Sequence, residues 1–184
     1  FLEKDGYNVN FVLNNGQSIL STALTYFPQT KEIIDFILTS NKLDFEKLKN
    51  HHGHFYLLQA ASCICINEKY PYIEILIKRG VCPGCLDENG NTFLHFLVKT
   101  DRLDLLESFQ FDRKHEFLNK TNNRGETAFD LAVSVKMLKY FLIHSYVDLN
   151  PKVAKQFVKK LVNNANVTGD DKKAMVRIIS ENVH

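Results

Sequence analysis

Glycine recurs along this chain at an almost even interval: Gly16, Gly53, Gly90 and Gly125 stand 37, 37 and 35 residues apart. Each opens a similar phrase, most clearly Gly90-Asn91-Thr92-Phe93-Leu94-His95 and Gly125-Glu126-Thr127-Ala128-Phe129-Asp130-Leu131-Ala132. A fixed period in the thirties is the mark of a solenoid, whose units bury their apolar faces only against their neighbours. Such a chain is expected to be a binding scaffold rather than an enzyme.

The third phrase shows what one unit contains. Asp87 to Thr92 reads as a turn, with Gly90 free to take a positive φ. Thr92 falls where a helix N-cap belongs, its hydroxyl placed to satisfy a backbone N–H that has no helical partner. Leu94, Leu97 and Val98 then give a first helix its apolar face. After a break near Thr100-Asp101, Leu103, Leu105, Leu106 and Phe109 do the same for a second. Turn, helix, break and helix make an all-α unit.

These residues resemble the ankyrin repeat, whose hallmark runs Asp, Gly, Thr and then Leu-His. The third unit matches through Asp87, Gly90, Thr92, Leu94 and His95, with Phe93 in place of the usual Pro. The fourth matches through Asn122, Gly125, Thr127, Phe129, Leu131 and Ala132; Asp130 stands where His would, and Thr127 with Asp130 forms a Thr-x-x-Asp capping pair. The second shows Gly53, Leu57, Ala60, Ala61, Ile73, Ile75, Leu76, Ile77 and Gly80, and departs at Phe55 and Leu58. The first shows Gly16, Ser18, Leu20, Ala23, Ile33, Ile34, Phe36, Ile37 and Leu38. The resemblance implies an ankyrin-repeat solenoid with four repeats over 13–150 (about 13–49, 50–86, 87–121 and 122–150) and projecting turns.

Residues 1–12 read as the tail of a preceding repeat, so an earlier helix and turn are expected before Phe1. Residues 151–184 carry no turn phrase. Val153, Ala154, Phe157, Val158, Leu161 and Val162 line one face of a helix, and Lys152, Lys155, Lys159 and Lys160 line the rest. A second helix follows the Thr168–Asp171 capping pair, with Ala174, Met175, Ile178 and Ile179 inward. This pair is expected to close the solenoid as a degenerate capping repeat or helical hairpin.

Composition limits the partners. The formal net charge is +2, from 23 basic and 21 acidic residues, too small an excess to draw the whole chain to nucleic acid or anionic lipid. Residues 151–184 hold seven Lys or Arg against three acids, so the basic excess lies there. No run of eighteen apolar residues predicts a membrane-spanning helix. Cys63, Cys65, Cys82 and Cys85 are too few and too clustered for a disulfide-stapled secreted fold, which favours a reducing cytosol or nucleus.

Few residues carry the pattern of a chemical site. Cys82-Pro83-Gly84-Cys85 has zinc-knuckle spacing and His51, His52 and His54 lie upstream, so a mixed zinc site is one reading. Cys63 and Cys65, two apart on a helix, turn their sulfurs about 200° from one another, which favours structural thiols. No phosphate loop, nucleophile elbow or His-x-x-x-His pair occurs, so neither catalytic residues nor a metal or other cofactor is expected. His95 is expected to buttress its own helix start, as the resemblance implies. His115 and His144 stand singly. The lysines of 152–160 offer a face to an acidic partner or to nucleic acid; lacking aromatic interleaving, they read first as a solvated face.

The resemblance also implies where a partner would dock. In ankyrin arrays the turns and first helices make a concave surface, which carries over to Asn14, Asn15 and Gln17; His51, His52 and His54; Glu88, Asn89 and Asn91; and Asn123, Arg124 and Glu126. Tyr26, Ser62, Cys63, Lys99 and Thr100 extend it. Such a surface would bury on the order of 800 Å² per partner. The expected function is a non-catalytic protein–protein interaction module of a larger multidomain protein, in the cytoplasm or nucleus of its own cell or as a pathogen effector in a host cell. The alternatives are a regulatory or substrate-recognition part of an enzyme whose catalytic domain lies elsewhere, and nucleic-acid or chromatin binding through the basic C-terminal helices.

Overall fold

The computed structural model describes residues 7–14, 16–26, 29–45, 56, 71–81, 83–84, 86–87, 89–108, 118–144 and 146–183. These are mostly helical: eight α-helices and one short 3-10 turn, with no strand among the described residues. The chain divides into two compact units, Phe1–Asp87 and Glu88–His184. Of the positions expected to shape the fold, Phe1 to Gly6, Gly53, Phe55, Leu57, Leu58, Ala60, Ala61 and Phe109 lie outside the described residues.

In the first unit, Gly16 adopts φ +80° at the tip of a tight turn. Its N–H donates to the Leu13 carbonyl at 2.9 Å, while the Leu13 N–H donates to the Gln17 carbonyl at 2.7 Å. Val12 and Ser18 face each other as an isolated antiparallel bridge. Ser18 then starts helix α1 (Ile19–Thr25): its Oγ accepts from the Ser21 N–H and shares a 2.7 Å hydrogen bond with the Tyr56 hydroxyl. Helix α2 (Lys31–Thr39) packs on α1, and α3 (Pro71–Lys78) completes the described helices of this unit. Leu20, Ala23 and Leu24 of α1, Ile34, Ile37 and Leu38 of α2, and Ile73 and Leu76 of α3 are buried. Each large side chain among them stabilises by roughly 1.5–3 kcal/mol relative to exposure. Ile33, one of the first unit's apolar positions, is 42% exposed, the buried stripe of α2 being Ile34, Ile37 and Leu38. Just past α3, the Arg79 guanidinium donates to the Leu38 carbonyl at 3.3 Å and the Ser40 carbonyl at 2.7 Å, satisfying acceptors that the end of α2 leaves open.

The second unit repeats the scheme with α4 (Phe93–Lys99) and α5 (Leu103–Ser108), separated at Asp101, whose φ is +56°. Leu94, Leu97 and Val98 are buried, as are Leu105 and Leu106. The next first helix is different. Only a 3-10 turn, Phe129–Leu131, forms before Ser134 caps α6 (Val135–Ile143) by accepting from the Met137 N–H at 3.1 Å. Ser134 comes nine residues after Gly125, too soon for a full α-helix to fit between turn and cap.

Helices α7 (Pro151–Asn163) and α8 (Gly169–Asn182) form a pair joined by a short loop. Asn150 caps α7 with Pro151 in the first turn, and Thr168 caps α8, hydrogen-bonded to Asp171. Phe157 and Leu161 of α7, and Met175 and Ile179 of α8, are buried, while Ala174 and Ile178 are half-buried. The ring of Phe157 lies 4.6 Å from that of Phe129, which in turn lies 5.7 Å from Phe141, so an aromatic cluster ties the 3-10 turn to both neighbours. Val162, expected on the apolar face, is 60% exposed.

Candidate binding groove and turn face

The turn at Gly125 is built like the one at Gly16. Gly125 has φ +69°, its N–H donates to the Asn122 carbonyl at 2.9 Å, and the Asn122 N–H donates to the Glu126 carbonyl at 2.9 Å. Thr121 and Thr127 form the matching bridge. Inside this turn Asn122 is buried and fully used. Its Oδ1 accepts from the Arg124 and Glu126 N–H groups at 2.9 and 3.0 Å, and its Nδ2 donates to Asn91 Oδ1 and Glu126 Oε2 at 3.0 and 2.8 Å. Such a short amide locks its own backbone as no apolar residue can.

The third and fourth turns are joined directly. The Asn123 N–H donates to the Asn89 carbonyl at 2.9 Å, bringing Asn123 against Gly90. His95, 1% exposed, adds a second tie. Its Nε2 lies 3.0 Å from the Glu126 carbonyl oxygen, which can only accept, so Nε2 carries the proton. Nδ1 is then the acceptor for the Thr92 N–H at 3.2 Å, while Thr92 Oγ1 accepts from the His95 N–H. The expected buttress at the helix start is therefore present, and it extends forward to the fourth turn.

Asp130 occupies the place in the fourth phrase that His95 holds in the third. Its Oδ2 accepts from the Thr127 N–H at 2.9 Å and the Thr127 hydroxyl at 3.1 Å. A carboxylate cannot donate forward, and the group that meets it is the Lys160 ammonium of α7 at 2.8 Å, with Gln156 Nε2 at 3.4 Å. The Asp130 side chain is 4% exposed and that of Lys160 26%. Lys160, expected on a solvated face, instead points back to this buried carboxylate.

Around that ion pair lies a groove of about 570 Å³ contained within the second unit. Lys99 at the end of α4, Arg124 and Glu126 of the fourth turn, and Gln156, Lys159 and Lys160 of α7 line it, together with Asn163, Asn164 and Asn166. Arg124 is 68% exposed and pairs with Glu126 at 3.3 Å. Lys99 and Lys159 are exposed and make no ion pair among the described residues.

No family model, no curated protein and no solved structure matches this chain. Placement of the expected contact residues therefore rests on the geometry. Asn89, Asn91, Asn123, Arg124 and Glu126 share the joined third and fourth turns, and Lys99, Arg124 and Glu126 share the groove. Asn14 and Gln17 are exposed on the first unit's turn, and Tyr26, 63% exposed, ends α1. Asn15, His51, His52, His54, Ser62, Cys63 and Glu88 lie outside the described residues, as do Cys65, Cys82, Cys85 and His115. Among the described residues no group of three or more His, Cys, Asp or Glu side chains is arranged to hold a metal ion. His144 packs its ring 5.2 Å from that of Tyr146. No described helix is long and apolar enough to cross a membrane. Lys159, Lys160 and Gln156 lie outside the contact set expected on the turns; the two lysines were signalled by the basic excess of residues 151–184 and the amphipathic spacing of α7, and Gln156 by that spacing alone.

Proposed function

We propose that this chain is a non-catalytic protein–protein interaction module of the ankyrin type, presenting its turns and first helices to a partner. The observation that carries this reading is the same turn built twice, at Gly16 and Gly125, with identical hydrogen-bond registers. Each is followed by a hydroxyl cap two residues on, Ser18 or Thr127. Thr92 holds the equivalent place after Gly90. A rigid turn repeated in this way displays side chains at low ordering cost, which favours recognition over chemistry.

Exposed Asn and Arg at the turn tips suit that role, being hydrogen-bonding groups of moderate desolvation cost. The test is affinity capture from cell extract by the wild-type chain beside an Asn14→Ala, Asn89→Ala, Arg124→Ala variant, with circular dichroism verifying equal helicity. A protein retained by the wild type and lost by the variant supports the reading. Equal retention by both would remove the turn face from it.

A further inference from the structure

We propose that the groove between the fourth turn and α7 takes an acidic peptide segment, its carboxylates reaching Lys99, Lys159 and Arg124. The proposal rests on the interaction-module reading and specifies the chemistry of the partner. Among the described residues four cations line the groove against two carboxylates, and one of each is already committed to the Asp130–Lys160 pair. Glu126 engages Arg124 only at 3.3 Å and also accepts from Asn122 Nδ2, so the Arg124 fork, largely in solvent, retains donors for an incoming carboxylate. Lys99 and Lys159 have no ionic partner among the described residues, so an approaching anion displaces nothing but water.

The same lining favours peptide over nucleic acid. Glu126 stands within the basic lining and opposes a continuous phosphate chain more than the spaced carboxylates of a peptide. Among the described residues no aromatic side chain lines the groove to stack a base. Gln156, Asn163, Asn164 and Asn166 instead carry side-chain amides. Gln156 and Asn163 each spend one N–H, on Asp130 and the Lys159 carbonyl respectively, and Asn164 Oδ1 accepts from the Asn166 N–H. The remaining amide donors and acceptors suit a peptide backbone. The groove also runs on from the turn face through Arg124 and Glu126, so one extended segment would engage both.

Fluorescence anisotropy of labelled short peptides on the full chain tests this. A peptide with Glu at alternate positions should bind, its Gln counterpart about tenfold more weakly. Lys99→Glu with Lys159→Glu should weaken the acidic peptide by at least about tenfold. Lys136→Glu with Lys139→Glu, the same charge change on exposed positions of α6 away from the groove, should not. Equal loss in both variants would reduce the effect to net charge and overturn the site. Tighter binding of an oligothymidine that is lost in the groove variant would assign the site to nucleic acid and overturn the peptide. If no acidic peptide binds while turn-dependent capture persists, the groove proposal falls and the module stands. If capture also fails, the module reading falls with it.

Discussion

Gly90 and Gly125 share a backbone conformation but not a neighbourhood. At φ +75° and +69° both sit where an L side chain is strained. A Cβ on Gly125 would meet open space, whereas one on Gly90 would come within 2.5 Å of Asn123 Oδ1 and 2.8 Å of the Asn123 backbone nitrogen. Gly125→Ala should therefore cost only the left-handed penalty, about 1–2 kcal/mol. Gly90→Ala should cost clearly more, because the backbone of the next turn has to move, and urea unfolding of the two variants compares them directly. Equal losses would show that the turns are not held as closely as their hydrogen bonds imply. The need for glycine at both positions is legible in the turn chemistry of the phrases. The contact is not, since it depends on a residue in the next phrase along the chain. Thr92 and Thr127 were legible as caps for the opposite reason, their partners lying three residues on.

Among the elements, the fourth phrase departs furthest from expectation. A 3-10 turn replaces the first helix, and the Asp130–Lys160 pair anchors α7 to that turn. Removing one partner of a buried pair strands the other, at about 3–5 kcal/mol for full burial, and less where one member reaches solvent as Lys160 does. Asp130→Ala and Lys160→Ala should each destabilise by about 1–3 kcal/mol. Their double mutant should fall well short of the sum, and a coupling near zero would sever this link. Phe157→Ala, which empties the contact between Phe129 and α7, should cost about 3–5 kcal/mol in urea unfolding. The shortening had a signal in the sequence, the early Ser134, nine residues after Gly125. The inward reach of Lys160 had none, because helical periodicity places it beside Lys159 without saying what stands opposite.

Over the whole molecule, the all-α character was legible from periodicity alone, whereas the groove was not, being assembled from α4, the fourth turn and α7. Each unit also contains a tyrosine whose ionisation the fold opposes. Tyr72 is pushed up to about 12 by burial and by its hydrogen bond to Asp35; Tyr140 is pushed up to about 12 by burial and by the adjacent Tyr146. A folded-state value above the unfolded one contributes stability that is complete below about pH 10 and disappears as pH rises towards 12. Denaturant midpoints should hold up to about pH 10 and then drop, with Tyr72→Phe lessening the drop without abolishing the first unit's share, since burial also raises Tyr56. A flat profile to about pH 12 would refute it.

The exchange of His95 for Asp130 gives the second unit a direction. His95 hands a proton donor forward to a carbonyl, whereas Asp130 needs a donor from α7. A copy of residues 87–121 spliced in after itself would meet the complementary group it needs. A copy spliced in after residue 150 would set the Asp130 carboxylate against a carbonyl oxygen. The third phrase is thus a link that can be multiplied, and the fourth a clasp.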